Sequence, residues 1–278
     1  IEKETISREE YMVLYASKNK AIEFYNKKYG KSKAIDLLIK DYLNYRNAWN
    51  KQPKSCIEEN KNLIESPPLC VDIETASICD LACPFCYRSA LATPDRIIDF
   101  DFAINLIDQI SQFKVPSMKF NWRGEPLLHP RLEEMISYAK SQGIIETLIN
   151  TNATKLTKKR SQAIIESGLD HMIYSFDGGT KETYEKNRPG RFKENKFEEV
   201  LQNIQNFKII RDSMNSKFPR TKIQMILTED TFNEQESFFK LFRNYVDEVT
   251  VTQYSERGGN INDLDKSDQK IVLKKAKK

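Results

Sequence analysis

The sequence predicts an α/β fold of six βα units behind an all-helical N-terminal segment, and three observations lead there. From residue 68 onward, strand-like apolar runs alternate with helical patterns. Glycines punctuate those elements in two distinct ways. Residues 1 to about 66 place apolar and aromatic side chains at helical period. Strands are expected at about 70–76, 117–122, 145–150, 171–176, 221–227 and 248–254, with helices at about 100–113, 130–142, 157–167, 194–212 and 232–245. Such alternation favours a parallel sheet with right-handed crossovers, either doubly wound or curled into a partial barrel.

In the N-terminal segment, Tyr11, Leu14 and Tyr15, then Ile22, Phe24 and Tyr25, then Ile35, Leu38, Ile39, Tyr42 and Leu43 form successive helical faces. Gly30 after Lys27-Lys28-Tyr29 suits a helix C-terminus with basic residues in its last turn. Apolar faces at this spacing serve packing first, with a substrate-specific cap as the other reading. Pro67-Pro68 cannot continue a helix and marks the boundary. The expected organisation is a helical extension at 1–66, a core at 67–256 and a tail at 257–278, which is either the truncated start of a further domain or the tail of a member that lacks one. Gly143 and Gly168 follow helical patterns, as helix-terminating glycines do. Gly124, Gly178, Gly179, Gly258 and Gly259 instead follow strands, on the rim where α/β barrels carry their active sites.

Composition excludes several classes. The net charge of +4 comes from 44 basic and 40 acidic residues interspersed along the chain, a solvated surface rather than a nucleic-acid footprint. No apolar run is long enough to span a membrane and no signal-like N-terminal segment is present, so a cytoplasmic location is expected. Five cysteines without a secretory signal argue against a disulfide framework. Cys70 is expected to be a small buried residue on its strand, and Cys56 to lie in a linker. With only His129 and His171 present, a histidine-rich metal site is excluded.

The strand at 70–76 leads into Cys79-Asp80-Leu81-Ala82-Cys83-Pro84-Phe85-Cys86, a C-x₃-C-x₂-C spacing. Three thiolates so close together can hold an iron–sulfur cluster. A cubane cluster ordinarily takes four cysteines, so three leave one iron open to a substrate or cofactor. This motif, with its aromatic Phe85, resembles the radical S-adenosylmethionine (radical SAM) superfamily. With the resemblance, the expected fold is α/β, a partial (βα)6 TIM-like barrel with an N-terminal helical extension. The cofactors it implies are a [4Fe–4S] cluster on Cys79, Cys83 and Cys86, and S-adenosylmethionine (SAM).

The other strand ends extend the resemblance over about residues 69–254. Arg123-Gly124-Glu125-Pro126 resembles the family's Gly-Gly-Glu-Pro motif, with Arg123 where a glycine is common. It implies that Gly124, Glu125 and Pro126 help bind the SAM amino group, through strand-end carbonyls and the Glu125 carboxylate. Asn150-Thr151-Asn152-Ala153-Thr154 resembles the Thr-Asn-Gly-type segment of the third strand, making Asn150 and Asn152 candidates for cofactor contact or for shaping the turn. Ser175-Phe176-Asp177-Gly178 resembles a Ser-x-Asp-Gly strand end that reaches the SAM ribose or carboxylate. Alternation puts Ser175 and Asp177 on one face, and a buried Asp177 would find partners in ribose hydroxyls. Arg188 and Arg191 flank Pro189-Gly190, where an arginine fork could bind a carboxylate or simply face solvent. Gln253, at the end of the sixth strand, falls near adenine by position.

The resemblance is nearest to the SPASM-type branch, whose members carry further cysteines after the barrel, whereas no cysteine follows Cys86 here. It implies an enzyme that cleaves SAM reductively and abstracts hydrogen from a C–H bond of a peptide, sugar or other small molecule. A reductant such as flavodoxin or ferredoxin is implied as partner. The competing reading is a non-catalytic iron–sulfur or structural metal module, which would need a fourth ligand that the spacing does not supply.

Overall fold

The computed structural model describes residues 8–58, 67–86, 88 and 94–254. The expected tail at 257–278, with Gly258 and Gly259, lies outside the described residues. Six strands make one parallel sheet in chain order: β1 (Cys70–Asp72), β2 (Ser117–Lys119), β3 (Glu146–Thr151), β4 (His171–Ser175), β5 (Arg220–Leu227) and β6 (Glu248–Gln253). A doubly wound sheet reverses its strand order midway. Here the order never reverses, so right-handed crossovers put the connecting helices on one face and leave the other open. The fold is a partial barrel.

The helices are α1 (Arg8–Lys18), α2 (Ile22–Tyr29), α3 (Lys31–Glu58), α4 (Phe100–Gln112), α5 (Leu132–Ser141), α6 (Lys158–Ser167), α7 (Lys181–Asn187), α8 (Phe197–Ser213), α9 (Glu229–Phe232) and α10 (Gln235–Phe242). Local chemistry sets their ends. Asp99 accepts from the Phe102 N–H at the start of α4, Thr157 caps α6, and Gly168 ends α6 in the left-handed region. Several elements differ from expectation. The first two strands are shorter, because the Thr75 hydroxyl takes the Phe120 carbonyl at 2.8 Å in place of a ladder bond. α7 has too few apolar positions to show a stripe and is started by the Thr180 cap. The last expected helix is two, with the Thr228–Thr231 capping box starting the first. α3 also runs to Glu58, so Cys56 lies on a helix rather than in a linker.

Side-chain alternation divides the sheet into a core face and a chamber face. Met118, Phe120, Ile149, Met172, Tyr174, Ile223 and Met225 are buried against Ile107 of α4, Ile136 of α5, Ile164 of α6, Phe207 of α8 and Phe242 of α10. Each such side chain contributes about 1.5–3 kcal/mol by leaving water. The opposite face carries Lys119, Asn150, Ser175, Gln224 and Thr252, none of them fully buried. Cys70 shares the register of that polar face and is half-buried beside Asp72, which corrects the expectation of a buried core thiol.

The N-terminal helices brace the far end of the barrel. Tyr15 and Asn19 both donate to the Ile145 carbonyl, at 3.1 and 2.8 Å, just before β3. Asn19 also donates to Asp170, which is ion-paired with buried Lys140 at 2.7 Å. Tyr45 of α3 donates to Glu146 at 2.8 Å, and His171 approaches the other oxygen of that carboxylate at 3.1 Å. His171 is therefore part of the floor, far along the strands from the cysteine rim.

Candidate active site

The cysteine loop after β1 is held against the C-terminal edge of the sheet by three neighbouring segments. The end of β2 comes closest: the Glu125 N–H donates to the Ile78 carbonyl at 2.9 Å. A Cβ on Gly124 would lie 2.2 Å from the Ala76 carbonyl oxygen and 2.3 Å from that of Ile78. Glycine is required there because the protein's own backbone, rather than a ligand, approaches it. The end of β3 supplies Asn152 Nδ2 and Thr154 Oγ1, which donate to the two oxygens of Asp80 at 2.8 and 2.6 Å. The segment after α7 adds the Ala82 N–H to Pro189 carbonyl bond and the Arg191 N–H to Asp80 carbonyl bond, both 2.8 Å.

Two hollows meet at this loop. An inner cavity of about 460 Å³ opens onto the chamber face of the sheet, and Cys79, Cys83, Cys86, Phe85, Gly124, Glu125, Asn150, Asn152, Ser175 and Gln253 all stand in its wall. An outer hollow of about 580 Å³ shares the same three cysteines and is lined by Arg88, Arg123, Arg191 and Asp95. Strand ends from β2, β3, β4 and β6 thus converge on one space, as the sequence analysis expected.

Hydrogen bonding separates residues that are committed to the protein from those that face the cavity. Glu125 is buried and already accepts from Thr151 Oγ1 at 2.7 Å, the Asn152 N–H at 2.8 Å and the Leu127 N–H at 3.0 Å. Burial pushes its carboxyl up to about 7 against the pull of those donors. Pro126 opens the short turn Pro126–Leu128 and is buried away from the cavity wall. Asn150 differs: its N–H donates to Asn121, but its buried Oδ1 has no hydrogen-bond partner. A buried, unpaired acceptor in a cavity wall is costly unless a ligand supplies a donor.

Asp177 departs from expectation. Its carboxylate is buried, accepts from the Ile226 N–H at 2.7 Å and pairs with Arg188 at 2.6 Å, so it needs no ribose hydroxyl, and it is absent from the cavity wall. Arg188 takes the wall position instead and is buried rather than solvent-facing. Asp177 leads the causes that hold its guanidinium well above the ordinary range despite burial. Arg123, in place of the family's glycine, forks onto Glu74 at 2.8 and 2.6 Å beside the cysteine loop. Asp80 and Asn121 also shape the site, though neither stood out as a site residue in the sequence. Asp80 carried a signal, a carboxylate between two cysteines, whereas Asn121 became visible only once β2 and β3 were in register.

The donor set fits an iron–sulfur cluster. Among the described residues, no three His, Cys, Asp or Glu side chains converge on a single metal ion. A cubane asks for something else, a thiolate for each of several irons around a shared space. Cys79, Cys83 and Cys86 form no disulfide and stand around such a space. Burial pushes Cys79 up to about 12 and Cys83 to about 11, as for thiols buried without a positive partner strong enough to ionise them. The unpaired Asn150 Oδ1 and the Arg188 guanidinium give the same cavity an acceptor and a cation, the complements of an amino-acid ammonium and carboxylate.

Comparison with known proteins agrees with this geometry. The Radical SAM superfamily model matches residues 73–242, more than half of the chain. The tungsten-containing aldehyde ferredoxin oxidoreductase cofactor-modifying protein of Pyrococcus furiosus is 31% identical over 108 residues, 38% of this chain and 30% of that protein. The PqqA peptide cyclase of Gluconobacter oxydans is 29% identical over 120 residues, 42% of this chain and 33% of that protein. The matched stretch therefore spans about a third of these relatives. Among solved structures, Streptococcus suis SuiB bound to S-adenosylmethionine superposes with a TM-score of 0.58 at 17% identity, over 93% of this chain and 62% of that one. The motif, the barrel and the family match agree: the chain belongs to the radical SAM superfamily, whose members bind a [4Fe–4S] cluster and SAM.

Proposed function

We propose that this protein is a radical SAM enzyme that abstracts hydrogen from a C–H bond of a peptide or other small molecule. The observation that carries the reading is the shared cavity, whose wall holds three cysteines, an amide oxygen without a hydrogen-bond partner and a buried arginine. Bound there, a [4Fe–4S] cluster and SAM would supply one-electron cleavage of the sulfur–carbon bond and a 5′-deoxyadenosyl radical.

Cys79, Cys83 and Cys86 hold the cluster in this reading. Asn150 Oδ1 would accept from the SAM ammonium and Arg188 would meet its carboxylate, with Ser175 and Gln253 as candidates for its ribose and adenine. Phe85 shields the cysteine loop. Gly124, Glu125, Pro126 and Asn152 set the strand ends that carry the contacts, and Asp177 aims Arg188. The similarity to PqqA peptide cyclase supports a peptide as the first substrate class to test. A protein reductant such as flavodoxin or ferredoxin, and a cytoplasmic setting, complete the proposal. Residues 1–66 form an N-terminal extension in this reading, its described helices α1 to α3 bracing the barrel floor, and 67–256 the catalytic core. No helix among the described residues is long and apolar enough to cross a membrane.

The test is chemical. Anaerobically reconstituted protein, reduced with dithionite in the presence of SAM, is expected to form 5′-deoxyadenosine, and the Cys83→Ala variant to form none. Absence of 5′-deoxyadenosine from iron-loaded wild-type protein would sink the reading.

A further inference from the structure

The inner cavity holds polar groups that neither the cysteine loop nor the proposed SAM contacts use, and Lys119 is the charged one among them. It ends β2 on the chamber face, half-buried in the cavity wall, and among the described residues no hydrogen bond or ion pair reaches its ammonium. The other charged groups of that wall are occupied. Arg123 forks onto Glu74, Arg188 pairs with Asp177, and Glu125 accepts three donors. We propose that Lys119 binds a carboxylate of a peptide substrate and so selects peptides that present one to the cavity. This inference rests on the radical SAM reading above and narrows its substrate class.

Register roots the lysine below the proposed cofactor contacts. Lys119 is level with Leu148 on β3, two residues and about 7 Å nearer the floor than Asn150. Its register partner on β1, Asp72, is exposed, accepts from Cys70 Sγ at 3.7 Å and forms no ion pair with it. That nearby carboxylate offsets part of the local charge, so the site suits a single negative charge. A carboxylate balances one ammonium, whereas a phosphate dianion would exceed it. Three strands away on β5, Gln224 stands in the same wall, and among the described residues no hydrogen bond reaches its side-chain amide. A primary amide both donates and accepts, as a peptide group requires. Trp122, 49% exposed in that wall, adds an apolar face for a neighbouring side chain. A neutral sugar would desolvate the ammonium without pairing it, whereas a carboxylate supplies a charge-assisted hydrogen bond.

A pool of acetylated, amidated pentapeptides, with Glu or Gln at the central position in equal amounts, is the probe. The pool is dialysed to equilibrium against the reconstituted, SAM-loaded full chain, and mass spectrometry of the bound peptides reads the Glu-to-Gln ratio. Wild-type protein is expected to enrich Glu by about tenfold or more, the scale of a hydrogen bond to a charged group. Lys119→Gln should bring the ratio to about one, and Lys119→Arg should keep most of the preference. Lys193→Gln, at an exposed lysine outside the cavity, should leave it unchanged. A second pool, with central Gln and free C-termini, separates the sources of the carboxylate: retention that depends on Lys119 assigns it to the chain end, as Glu enrichment assigns it to a side chain. Equal retention of acids and amides by wild type in both pools would overturn the proposal. So would a preference that survives Lys119→Gln, tighter retention of phosphoserine peptides than of Glu peptides, or loss of iron from Lys119→Gln, since the lysine would then be serving the cluster. The same preparation, reduced with dithionite, separates the two readings. With 5′-deoxyadenosine formed but no carboxylate preference, only this inference falls; with none formed, the functional reading falls and this inference with it.

Discussion

Asp177 and Arg188 meet at 2.6 Å in a buried ion pair, and it is the arginine, not the aspartate, that reaches the wall of the cysteine-lined cavity. The carboxylate is spent on Arg188 and on the Ile226 N–H, joining the end of β4 to α7 and β5. Arg188→Ala strands a buried carboxylate and is expected to lower stability by about 3–5 kcal/mol in urea unfolding. Arg188→Lys keeps the charge but loses the fork, so it should retain most of the stability while weakening SAM binding. Equal stability of wild type and Arg188→Ala would contradict this role.

Asn150 and Asn152, two residues apart, are predicted to fail differently. Asn150 Oδ1 has no protein partner, so Asn150→Ala should leave the iron content intact and raise the Kd for SAM by about tenfold or more. Asn152 ties β3 to Asp80 in the cysteine loop, so Asn152→Ala should lose iron during gel filtration. Equilibrium dialysis with labelled SAM and iron analysis separate the two outcomes. Identical behaviour of the variants would show that the division between contact and tie is wrong.

Gly124→Ala tests why the second strand end needs glycine. The new Cβ would sit 2.2 Å from the Ala76 carbonyl oxygen, and the backbone that must yield leads directly into the cysteine loop. The expected result is a stability loss of about 1–3 kcal/mol together with reduced iron loading, against unchanged far-ultraviolet circular dichroism. Full iron loading in the variant would mean that the loop is not positioned by this contact.

Asp247 predicts an acid dependence at the opposite end of the strands. Burial alone would raise its carboxyl, but the Arg211 fork and the Thr221 N–H together hold it below the usual carboxylate range. A carboxyl with a lowered folded-state pKa contributes stability above its unfolded value, near about 3.9, and loses that contribution as pH falls through the folded value. Asp247→Asn should therefore cost about 1–3 kcal/mol near neutrality, with the gap to wild type closing below about pH 4. Thermal unfolding of both proteins across pH 3–7 checks this, and a gap independent of pH would refute the pairing.

Much of the fold was legible because local patterns and tertiary structure agree. β3 to β6 fell within two residues of expectation, since their alternating runs end at clear turn residues such as Asn152 and Gly178. α7 was not legible, because its Lys-Glu-Thr-Tyr-Glu-Lys-Asn sequence buries only Tyr184 and Asn187 and shows no stripe. In the site, spacing alone brought the three cysteines forward as candidates, and they line the cavity together with nearly all the strand-end residues. The exceptions are Pro126 and Asp177, and in the case of Asp177 the reason is physical. A sequence shows that a carboxylate ends a strand, but not that an arginine 11 positions later folds back to neutralise it. Glu125 stood as a candidate for cofactor contact and Asn150 as a candidate for contact or for shaping the turn, whereas hydrogen bonding leaves the Asn150 acceptor without a partner and saturates Glu125.

The central claim is that three thiols leave one iron of a [4Fe–4S] cluster open for SAM. Mössbauer spectroscopy of iron-57 reconstituted protein, recorded with and without SAM, tests it most directly. The expected result is a change confined to one iron of the cluster on SAM addition, with the other irons unchanged. A spectrum indifferent to SAM, or one in which all irons carry equivalent protein ligands, would contradict it.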